Sequence, residues 1–340
     1  MGISFYTFNN ISYIIEVKRK NVKCEKNFLH FLFYVTLFTH VTMGPITNYN
    51  LINKNIGFLD PKTEDVLDGF KRFIWGLIKK VLIADSLGLL YNAMLGDINR
   101  SFTLNLFCLI IFGLQLYIDF SSYTDMAIGL GKMIGISYKE NFNYPYLATS
   151  VSDFWRRWHM SLTNFFKEYV YIPMGGNKVN IIRHILNILT VWLLTGIWHG
   201  NHINFVIWGL YYGVILIIEK YLLKNILDKL PKIVKHLYVI TIVIIGYIFF
   251  SISDFNDMII FIKDMFTTFI NSNVIFYFKE NLFLIVVSII LCFKVPEKVQ
   301  NLFNNKYILI IQNIGYFVLY ILTIAYILSG SFSPFLYNAF

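Results

Sequence analysis

The sequence has few charged residues. Only 14% of its 340 residues are Asp, Glu, Lys or Arg, whereas 56% are hydrophobic. An average soluble domain is about 25% charged, so this chain has too few ionic side chains to cover a surface in water. The composition excludes a soluble enzyme and indicates an all-α polytopic membrane protein, multi-pass in the cell membrane, whose surroundings are membrane lipid.

Cysteine is also scarce. Cys24, Cys108 and Cys292 are widely spaced, which excludes a disulfide framework and gives no metal-ligand spacing. The chain also lacks a Pro/Gly/Ser-rich linker, an internal repeat and a low-complexity tract. We therefore interpret residues 1–340 as one continuous domain.

Acidic residues are outnumbered, with 20 Asp and Glu against 29 Lys and Arg. In a membrane protein, such an excess marks the loops that stay in the cytoplasm. The basic clusters are predicted to be cytoplasmic, and they cover residues 18–26, 71–80, 220–235 and 294–306. No basic motif lies outside this pattern, so nucleic-acid binding is not expected.

Long apolar runs provide the predicted membrane spans, since a spanning helix needs about 20 apolar residues. Seven runs qualify, at about 28–46, 103–118, 181–198, 203–222, 233–251, 281–294 and 307–329. The opening segment is a further candidate, because Lys18 to Lys20 follow its apolar stretch, the reverse of a cleavable signal peptide. Residues 255–271 are amphipathic and could lie on the membrane or dip into it.

Residues 119–178 are polar and aromatic, yet they are predicted to lie between spans. Within them, 151–169 follows a helical period and indicates an interfacial amphipathic helix. Its predicted aromatic face holds Val151, Trp155, Trp158, Leu162, Phe165, Phe166 and Tyr169, and its polar face includes Asp153, Arg156 and Arg157. His159 falls on the border, where it could face a polar cavity or anchor the helix at the interface.

A second histidine motif, residues 194–202, joins two predicted spans. His199 there could act as a general base if its surroundings hold its pKa near 7. It could equally be structural, or it could ligate a metal with His202, although no third ligand is near. Gly196 and Gly200 would allow close approach of substrate or backbone.

Two acidic residues, Asp119 and Asp125, follow the run at 103–118. They could line a polar cavity or hydrogen-bond Arg156 and Arg157. Alternatively, Asp119 could cap a following helix.

Two further patterns concern helix packing. Residues 69–84 indicate a surface-lying helix with snorkelling lysines, or a helix that contacts a phosphorylated donor. Ala127, Gly131 and Gly135 form a small-residue pattern for close helix packing.

The order of motifs resembles that of the membrane-bound O-acyltransferase (MBOAT) family. The matching segments are GISFYTFNNISYIIEVKR (2–19), GPITNY (44–49), GFKRFIWGLIKKVLIAD (69–85), YIDFSSYTDMAIGLGKMIGI (117–136), residues 141–177 with DFWRRWHMSL, LTGIWHGNHINFVIWG (194–209) and SPFLY (333–337). Within the family, the branch that serves alginate O-acetylation is more similar than the branch that transfers D-alanine to teichoic acids.

The resemblance implies a ring of helices around a thin core crossed by a tunnel. An acyl group would pass from a cytosolic thioester, acetyl-CoA, to a polysaccharide acceptor through an extracytoplasmic acetyltransferase partner. By the same resemblance, His199 matches the invariant tunnel histidine and His159 the second motif position, which is His or Asn in the family. Other residues would form or support the tunnel wall, namely Asp119, Asp125, Trp155, Arg156, Arg157, Trp158 and Trp198. No bound cofactor or metal is implied.

Family members also carry about a hundred residues, a few spans' worth, before the segment that matches Gly2. We therefore expect this chain to correspond to the family from that point onward. The alternatives to acetyl transfer are D-alanyl-type transfer to a cell-wall polymer, a transporter without covalent chemistry, and an inactive, shortened member of the family.

Overall fold

The computed structural model describes residues 3–39, 44–53, 61–271, 273–294, 306–330 and 335. The SPFLY motif at 333–337 lies outside the described residues except at position 335. Within the described ranges the chain forms helices and no strands. The α-helices are α1 (Ile3–Lys18), α2 (Phe28–Thr36), α3 (Tyr49–Asn53), α4 (Thr63–Ile78), α5 (Asp85–Leu95), α6 (Phe102–Met133), α7 (Val151–Arg157), α8 (Met160–Phe166), α9 (Ile181–His199), α10 (Ile203–Ile218), α11 (Lys224–Lys229), α12 (Lys232–Ser251), α13 (Phe255–Thr267), α14 (Asn273–Glu280), α15 (Leu282–Leu291) and α16 (Lys306–Leu328).

Short non-α segments join several of these helices. A 3₁₀ turn covers Pro145–Leu147, and π-helical turns cover Lys79–Ala84, Lys167–Tyr171 and Glu219–Leu223. A π-helical turn rotates the side chains that follow it relative to those before it, and such turns are frequent at functional sites.

Five helices in the described part of the chain are long and apolar enough to cross a membrane. They are Phe102–Met133, Ile181–His199, Ile203–Lys229, Lys232–Ser251 and Ile310–Leu328. These helices confirm the predicted all-α polytopic membrane class, and each covers a predicted apolar run. The single-domain interpretation of residues 1–340 stays a prediction.

The other predicted spans fold differently. The run at 28–46 gives the nine-residue helix α2, and residues 40–43 of it lie outside the described ranges. The run at 281–294 gives α15, which is long and apolar enough to cross a membrane only together with α14, from which it is bent by 68°. Residues 255–271 give α13, with 13 residues, whose Met258 and Phe261 are buried in the protein. Each of these helices is too short to cross a membrane by itself. The apolar runs predicted longer spans because a run of apolar residues is expected in the protein interior as well as in lipid.

Helix α6 has 32 residues and extends well beyond its predicted end at 118. It begins at Ser101, whose hydroxyl accepts a hydrogen bond from the Leu104 amide, and continues past Asp119 and Asp125. The prediction that residue 119 lies between spans, with Asp119 as a cap, was therefore wrong. The helix continues because its acidic side chains find cationic partners on α4 and the turn after it.

Helix α4 crosses α6 at glycine contacts. A Cβ atom added at Gly129 would lie 2.6 Å from the Gly69 carbonyl oxygen and 2.8 Å from the Phe73 amide nitrogen. Small residues allow membrane helices to pack this closely. The predicted small-residue pattern named Ala127, Gly131 and Gly135, whereas the backbone contact is made by Gly129.

Helices α9 and α10 form an antiparallel pair with equally close backbones. A Cβ atom at Gly196 would lie 2.4 Å from the Phe205 carbonyl oxygen, and one at Gly209 would lie 2.3 Å from that of Trp192. The prediction that Gly196 allows close approach is confirmed for the approach of a second backbone, that of Phe205. The pair places His199, the last residue of α9, beside the first turns of α10.

The segment 151–169 is not one continuous helix. It divides at Trp158 and His159 into α7 and α8. The predicted aromatic face does point inward, with Val151, Trp158 and Leu162 buried, while Arg156 is exposed. Period alone predicted the faces correctly but could not predict the break, because the break depends on contacts from outside the segment.

The contact between α4 and α6 generates a stability prediction. Gly129→Ala should destabilise the protein by about 1–3 kcal/mol, since the added methyl group meets backbone atoms that cannot move aside. The measurement is the thermal unfolding of the detergent-purified protein. Gly315→Ala in α16 is the matched control, because nothing lies within 4 Å of its added Cβ atom. Equal melting temperatures for the two variants would contradict the close contact.

Candidate active site

His159 occupies the break between α7 and α8 in a left-handed backbone conformation, with φ 43° and ψ 55°. Such a conformation costs a non-glycine residue roughly 1–3 kcal/mol and persists where the surroundings hold it. Here the Met160 amide donates to the backbone oxygen of Asn141 at 2.9 Å, and the Ser161 amide donates to its side-chain Oδ1 at 3.0 Å. The strained turn therefore depends on one residue from the preceding loop.

The His159 ring is buried, with 2% of the residue exposed. Its Nδ1 lies 3.3 Å from Asn141 Oδ1, and the Phe120 ring from α6 meets it edge-on at 4.8 Å. Burial lowers the pKa of His159 to about 3, because an apolar environment disfavours the charged imidazolium. This shift favours the neutral form of His159 at pH 7, in which one ring nitrogen carries a hydrogen and the other a lone pair.

His199 lies at the C-terminal end of α9 in an aromatic cage. Its ring centroid is 4.8 Å from Trp198, 4.8 Å from Trp208 and 5.0 Å from Phe250. Three different elements contribute these rings: α9, α10 and α12. These rings shield His199 from water on several sides.

Both histidines line a single cavity of about 240 Å³, which we call the histidine cavity. Of the other predicted site residues, Trp155, Arg156 and Trp158 also line it. Trp198 is not among the lining residues, but it packs between the two histidines, 6.2 Å from the His159 ring. The cavity wall is otherwise mostly aromatic and aliphatic, and includes Leu116, Leu162, Trp192, Tyr212, Leu216, Tyr247 and Phe250.

A second, more polar cavity of about 620 Å³ adjoins the first, and we call it the basic vestibule. Ser152, Arg156, Tyr171, Val191, Trp192 and Leu216 line both spaces. The vestibule adds Lys220, Lys224 and Lys235, together with the acidic Glu219 and Asp228, so that with Arg156 its basic residues outnumber its acidic ones. The lysines belong to the basic cluster that the sequence predicts to be cytoplasmic. An anionic ligand entering from the cytoplasm would therefore meet favourable charge.

Helix α10 shows how the two spaces are arranged. Trp208, Tyr212 and Leu216 all face the histidine cavity. With a rise of 1.5 Å per residue, they cover about 12 Å along the helix axis. Leu216 also faces the vestibule, so the line from His199 toward the vestibule runs along one face of α10.

A hydrogen-bonded cluster in the vestibule wall was missed by sequence reasoning. His184 Nδ1 lies 2.5 Å from the Tyr221 hydroxyl, and its Nε2 lies 2.7 Å from the Tyr171 hydroxyl and 3.2 Å from Lys220 Nζ. Tyr171, Lys220 and Tyr221 come from two π-helical turns. No local pattern reveals this cluster, because it joins residues from three elements.

Glu219 connects α10 to α7. Its two carboxylate oxygens accept hydrogen bonds from the amides of Val151 at 2.8 Å and Ser152 at 2.9 Å. These are free amides of the first turn of α7, where a negative charge is stabilising. The contact fixes the start of the short helix that carries Trp155 and Arg156.

Asp119, Asp125 and Arg157 do not line the histidine cavity. Arg157 pairs with Asp153 at 3.0 Å, and Arg156 donates to the Ser152 carbonyl at 3.2 Å. The predicted hydrogen bonds between the acidic pair on α6 and Arg156 or Arg157 are therefore wrong. Arg157 finds its partner four residues earlier on its own helix.

Asp119 and Asp125 instead belong to a buried charge cluster. Asp125 pairs with Lys79 at 2.6 Å and with Arg72 at 2.8 Å, and Asp119 pairs with Lys80 at 2.8 Å. Asp85 also pairs with Lys80, at 2.7 Å. Only 1% of Lys80 is exposed, so the prediction of snorkelling surface lysines was wrong. The π-helical turn at 79–84 aims both lysines at α6.

No group of three His, Cys, Asp or Glu side chains suited to a metal ion occurs within the described ranges. His202 is exposed and does not line the cavity that holds His199. The arrangement that remains is a pair of histidines in a mostly apolar space, where burial lowers the pKa of His159 and favours its neutral form. Such a site suits proton transfer during chemistry that water would spoil.

The fold and site thus define a polytopic membrane protein with an internal histidine cavity reached through a basic vestibule. The profile of the MBOAT, membrane-bound O-acyltransferase family matches residues 25–256. The chain belongs to this family.

Several curated relatives are similar to the chain. It is 37% identical over 250 residues to "Probable alginate O-acetylase AlgI" of Pseudomonas aeruginosa, covering 74% of this chain and 48% of the relative. It is 30% identical over 303 residues to "Peptidoglycan O-acetyltransferase" of Helicobacter pylori, covering 78% and 56%. It is 29% identical over 227 residues to "Teichoic acid D-alanyltransferase" of Bacillus subtilis, covering 64% and 58%. The chain spans about half the length of these relatives.

The buried charge cluster generates a prediction. Lys80→Met should destabilise the protein by about 3–5 kcal/mol, because it removes the ammonium group between two buried carboxylates. Folded yield and melting temperature in detergent would measure the loss. Lys71→Met is the matched control, since Lys71 is exposed on the helix that precedes the turn. If Lys80→Met and Lys71→Met had the same melting temperature, Lys80 would not stabilise the buried charge cluster.

Proposed function

We propose that the chain is the membrane component of an O-acetyltransferase, which accepts an acetyl group from a cytosolic thioester for O-acetylation of a cell-surface or secreted polysaccharide. The observation that carries the proposal is the placement of His159 and His199 in one mostly apolar cavity that adjoins a basic vestibule. Similarity to the alginate and peptidoglycan O-acetyltransferases supports acetyl as the acyl group and a polysaccharide as the acceptor.

The vestibule supports acetyl-CoA as the donor. Lys220, Lys224, Lys235 and Arg156 would attract its phosphates. Its acetyl-bearing arm is narrow and uncharged, and it would extend past Tyr171 into the histidine cavity. The thioester would then lie near the histidines while the charged nucleotide stayed in the vestibule.

The transfer needs a base and the exclusion of water. An acceptor hydroxyl oxygen attacks the thioester carbonyl carbon, the new C–O bond forms as the C–S bond breaks, and the hydroxyl proton passes through histidine to the leaving thiolate. We assign His199 as the base, with His159 as its companion in the cavity. Trp155, Trp158, Trp198 and Trp208 would exclude water that otherwise hydrolyses the thioester.

The acceptor side requires a partner. The hydroxyl that attacks the thioester would belong to the group that relays the acetyl to an extracytoplasmic acetyltransferase. A polymer hydroxyl would then attack the resulting ester, so that the new C–O bond to the polymer forms as the relay oxygen leaves with the proton. D-alanyl transfer is the second candidate, and it is favoured by the similarity to the teichoic acid D-alanyltransferase of Bacillus subtilis. The same cavity would serve either acyl group, so the acyl group recovered from the polymer distinguishes the two candidates.

The base assignment gives the central test. His199→Ala should abolish alkali-labile acetyl on the cell-surface polysaccharide while the protein remains in the membrane. His202→Ala is the matched control, because His202 is three residues away, exposed and outside the cavity. Polymer acetyl content and membrane immunoblots measure the result. Unchanged acetylation in His199→Ala would overturn the assignment, and equal loss in both variants would favour a site that uses both histidines, such as a metal.

The vestibule gives a second test, on the donor. The double variant Lys224→Gln and Lys235→Gln should raise the KM for acetyl-CoA about three- to tenfold with little change in kcat, since exposed charge pairs contribute about 0.2–1 kcal/mol each. Lys229→Gln is the control, because Lys229 lies on α11 but outside the vestibule. Steady-state transfer by proteoliposomes gives both constants. A KM that did not change in the double variant would exclude the vestibule as the donor site.

A further inference from the structure

Asn141 contacts three consecutive residues at the break between α7 and α8. Its backbone oxygen accepts from the Met160 amide, while its Oδ1 accepts from the Ser161 amide and lies 3.3 Å from His159 Nδ1. The side chain is completely buried, with 0% of the residue exposed. The sequence does not indicate this contact, because Asn141 is 18 positions before His159.

The Ser161 contact decides which atom of the Asn141 amide faces the break. A backbone amide can only donate, so the side-chain atom 3.0 Å from it must be the carbonyl oxygen. The opposite orientation would direct the amide nitrogen of Asn141, another donor, at the Ser161 donor. The Oδ1 assignment therefore follows from the Ser161 amide and does not depend on the histidine.

The orientation of Asn141 then decides the form of the histidine. An amide oxygen can only accept, so a hydrogen bond from the ring to Oδ1 requires the hydrogen to be on Nδ1. In a neutral imidazole the other nitrogen, Nε2, then carries the lone pair. The left-handed backbone of His159 and the ring orientation are held by the same residue.

We propose that Asn141 is a positioning residue that holds His159 in the Nδ1–H tautomer, so that Nε2 is the ring nitrogen of His159 that can act as an acceptor beside the base, His199. The catalytic part of this inference rests on the proposed function. The tautomer itself does not, and it can be measured without any substrate.

The test is ¹⁵N NMR of histidine-labelled protein in lipid nanodiscs at pH 7. The chain has seven histidines, and loss of a signal in His159→Gln assigns His159. In the unaltered protein, we expect a protonated Nδ1 and an unprotonated Nε2. Asn141→Asp, which keeps an oxygen acceptor, should preserve that tautomer, whereas Asn141→Leu should abolish it.

Asn143→Leu is the matched control, because Asn143 is exposed and only two residues away. It should leave the His159 signals unchanged. The inference is overturned if His159 of the unaltered protein is protonated on Nε2, or if Asn141→Leu leaves the Nδ1–H tautomer in place. Melting temperatures of all variants identify any that are unfolded, and Asn141→Asp keeps the test decisive if Asn141→Leu does not fold.

Acetyl transfer by the same samples, supplied with acetyl-CoA, the extracytoplasmic partner and the acceptor polymer, separates positioning from folding. Asn141→Leu should lower kcat about 10- to 100-fold, the range found when a group that orients a histidine is removed, with the KM for acetyl-CoA unchanged. Asn141→Asp should restore transfer toward the original rate. If the Nδ1–H tautomer is found but the protein transfers no acetyl group, the proposed function is contradicted and the positioning role stands. If the protein transfers acetyl groups but His159 is not in the Nδ1–H tautomer, only the positioning role is contradicted.

Discussion

Polar groups in a membrane-spanning chain need partners inside the protein, because hydrocarbon supplies no hydrogen bonds. The buried charge cluster meets this constraint by joining Lys79 and Lys80 to Asp119 and Asp125 on α6. The glycine contact between Gly69 and Gly129 brings the two backbones close. Helix α6, mostly buried, thereby becomes the fixed centre of the molecule. The apolar side chains of α6 depend on neighbouring helices for burial. Its polar side chains depend on the same helices for charged partners at the matching level.

The candidate site is built on that centre. From α6, Leu116 lines the histidine cavity and Phe120 packs edge-on against His159. Interruptions of regular helix then supply the special geometry: the left-handed turn at His159, and the π-helical turns that carry Tyr171 and Lys220. Contacts from another part of the chain hold each interruption in place. At His159, Asn141 makes these contacts. An irregular backbone is tolerated in a membrane protein where it is buried in protein and lines a cavity.

The cavity and vestibule divide the chemistry between two environments. In the proposed reaction, charge attraction acts in the basic vestibule, where Lys224 is exposed and Lys235 is half-buried. In the same proposal, proton transfer takes place in the mostly apolar cavity, where burial lowers the pKa of His159 and aromatic rings surround His199. A thioester donor would use both environments, because its charged nucleotide would be held in one and its reactive carbon kept from water in the other. Glu219 fixes the start of α7 close to the junction of the two spaces.

The sequence by itself determined the membrane class, five of the spans, the inward aromatic face of 151–169 and the two histidines that share a cavity. Composition and period suffice for the class, the spans and the aromatic face because they report the average environment of each segment, whereas the two histidines came from the resemblance of their motifs to the family. Only the tertiary structure decided the break at His159, the contacts of Asn141, and the pairing of Asp119 and Asp125 with lysines instead of Arg156 and Arg157. Those features join residues tens of positions apart, and hydropathy carries no information about which helices pack together. An acidic residue in an apolar helix shows that a partner is needed, and the fold alone selects it.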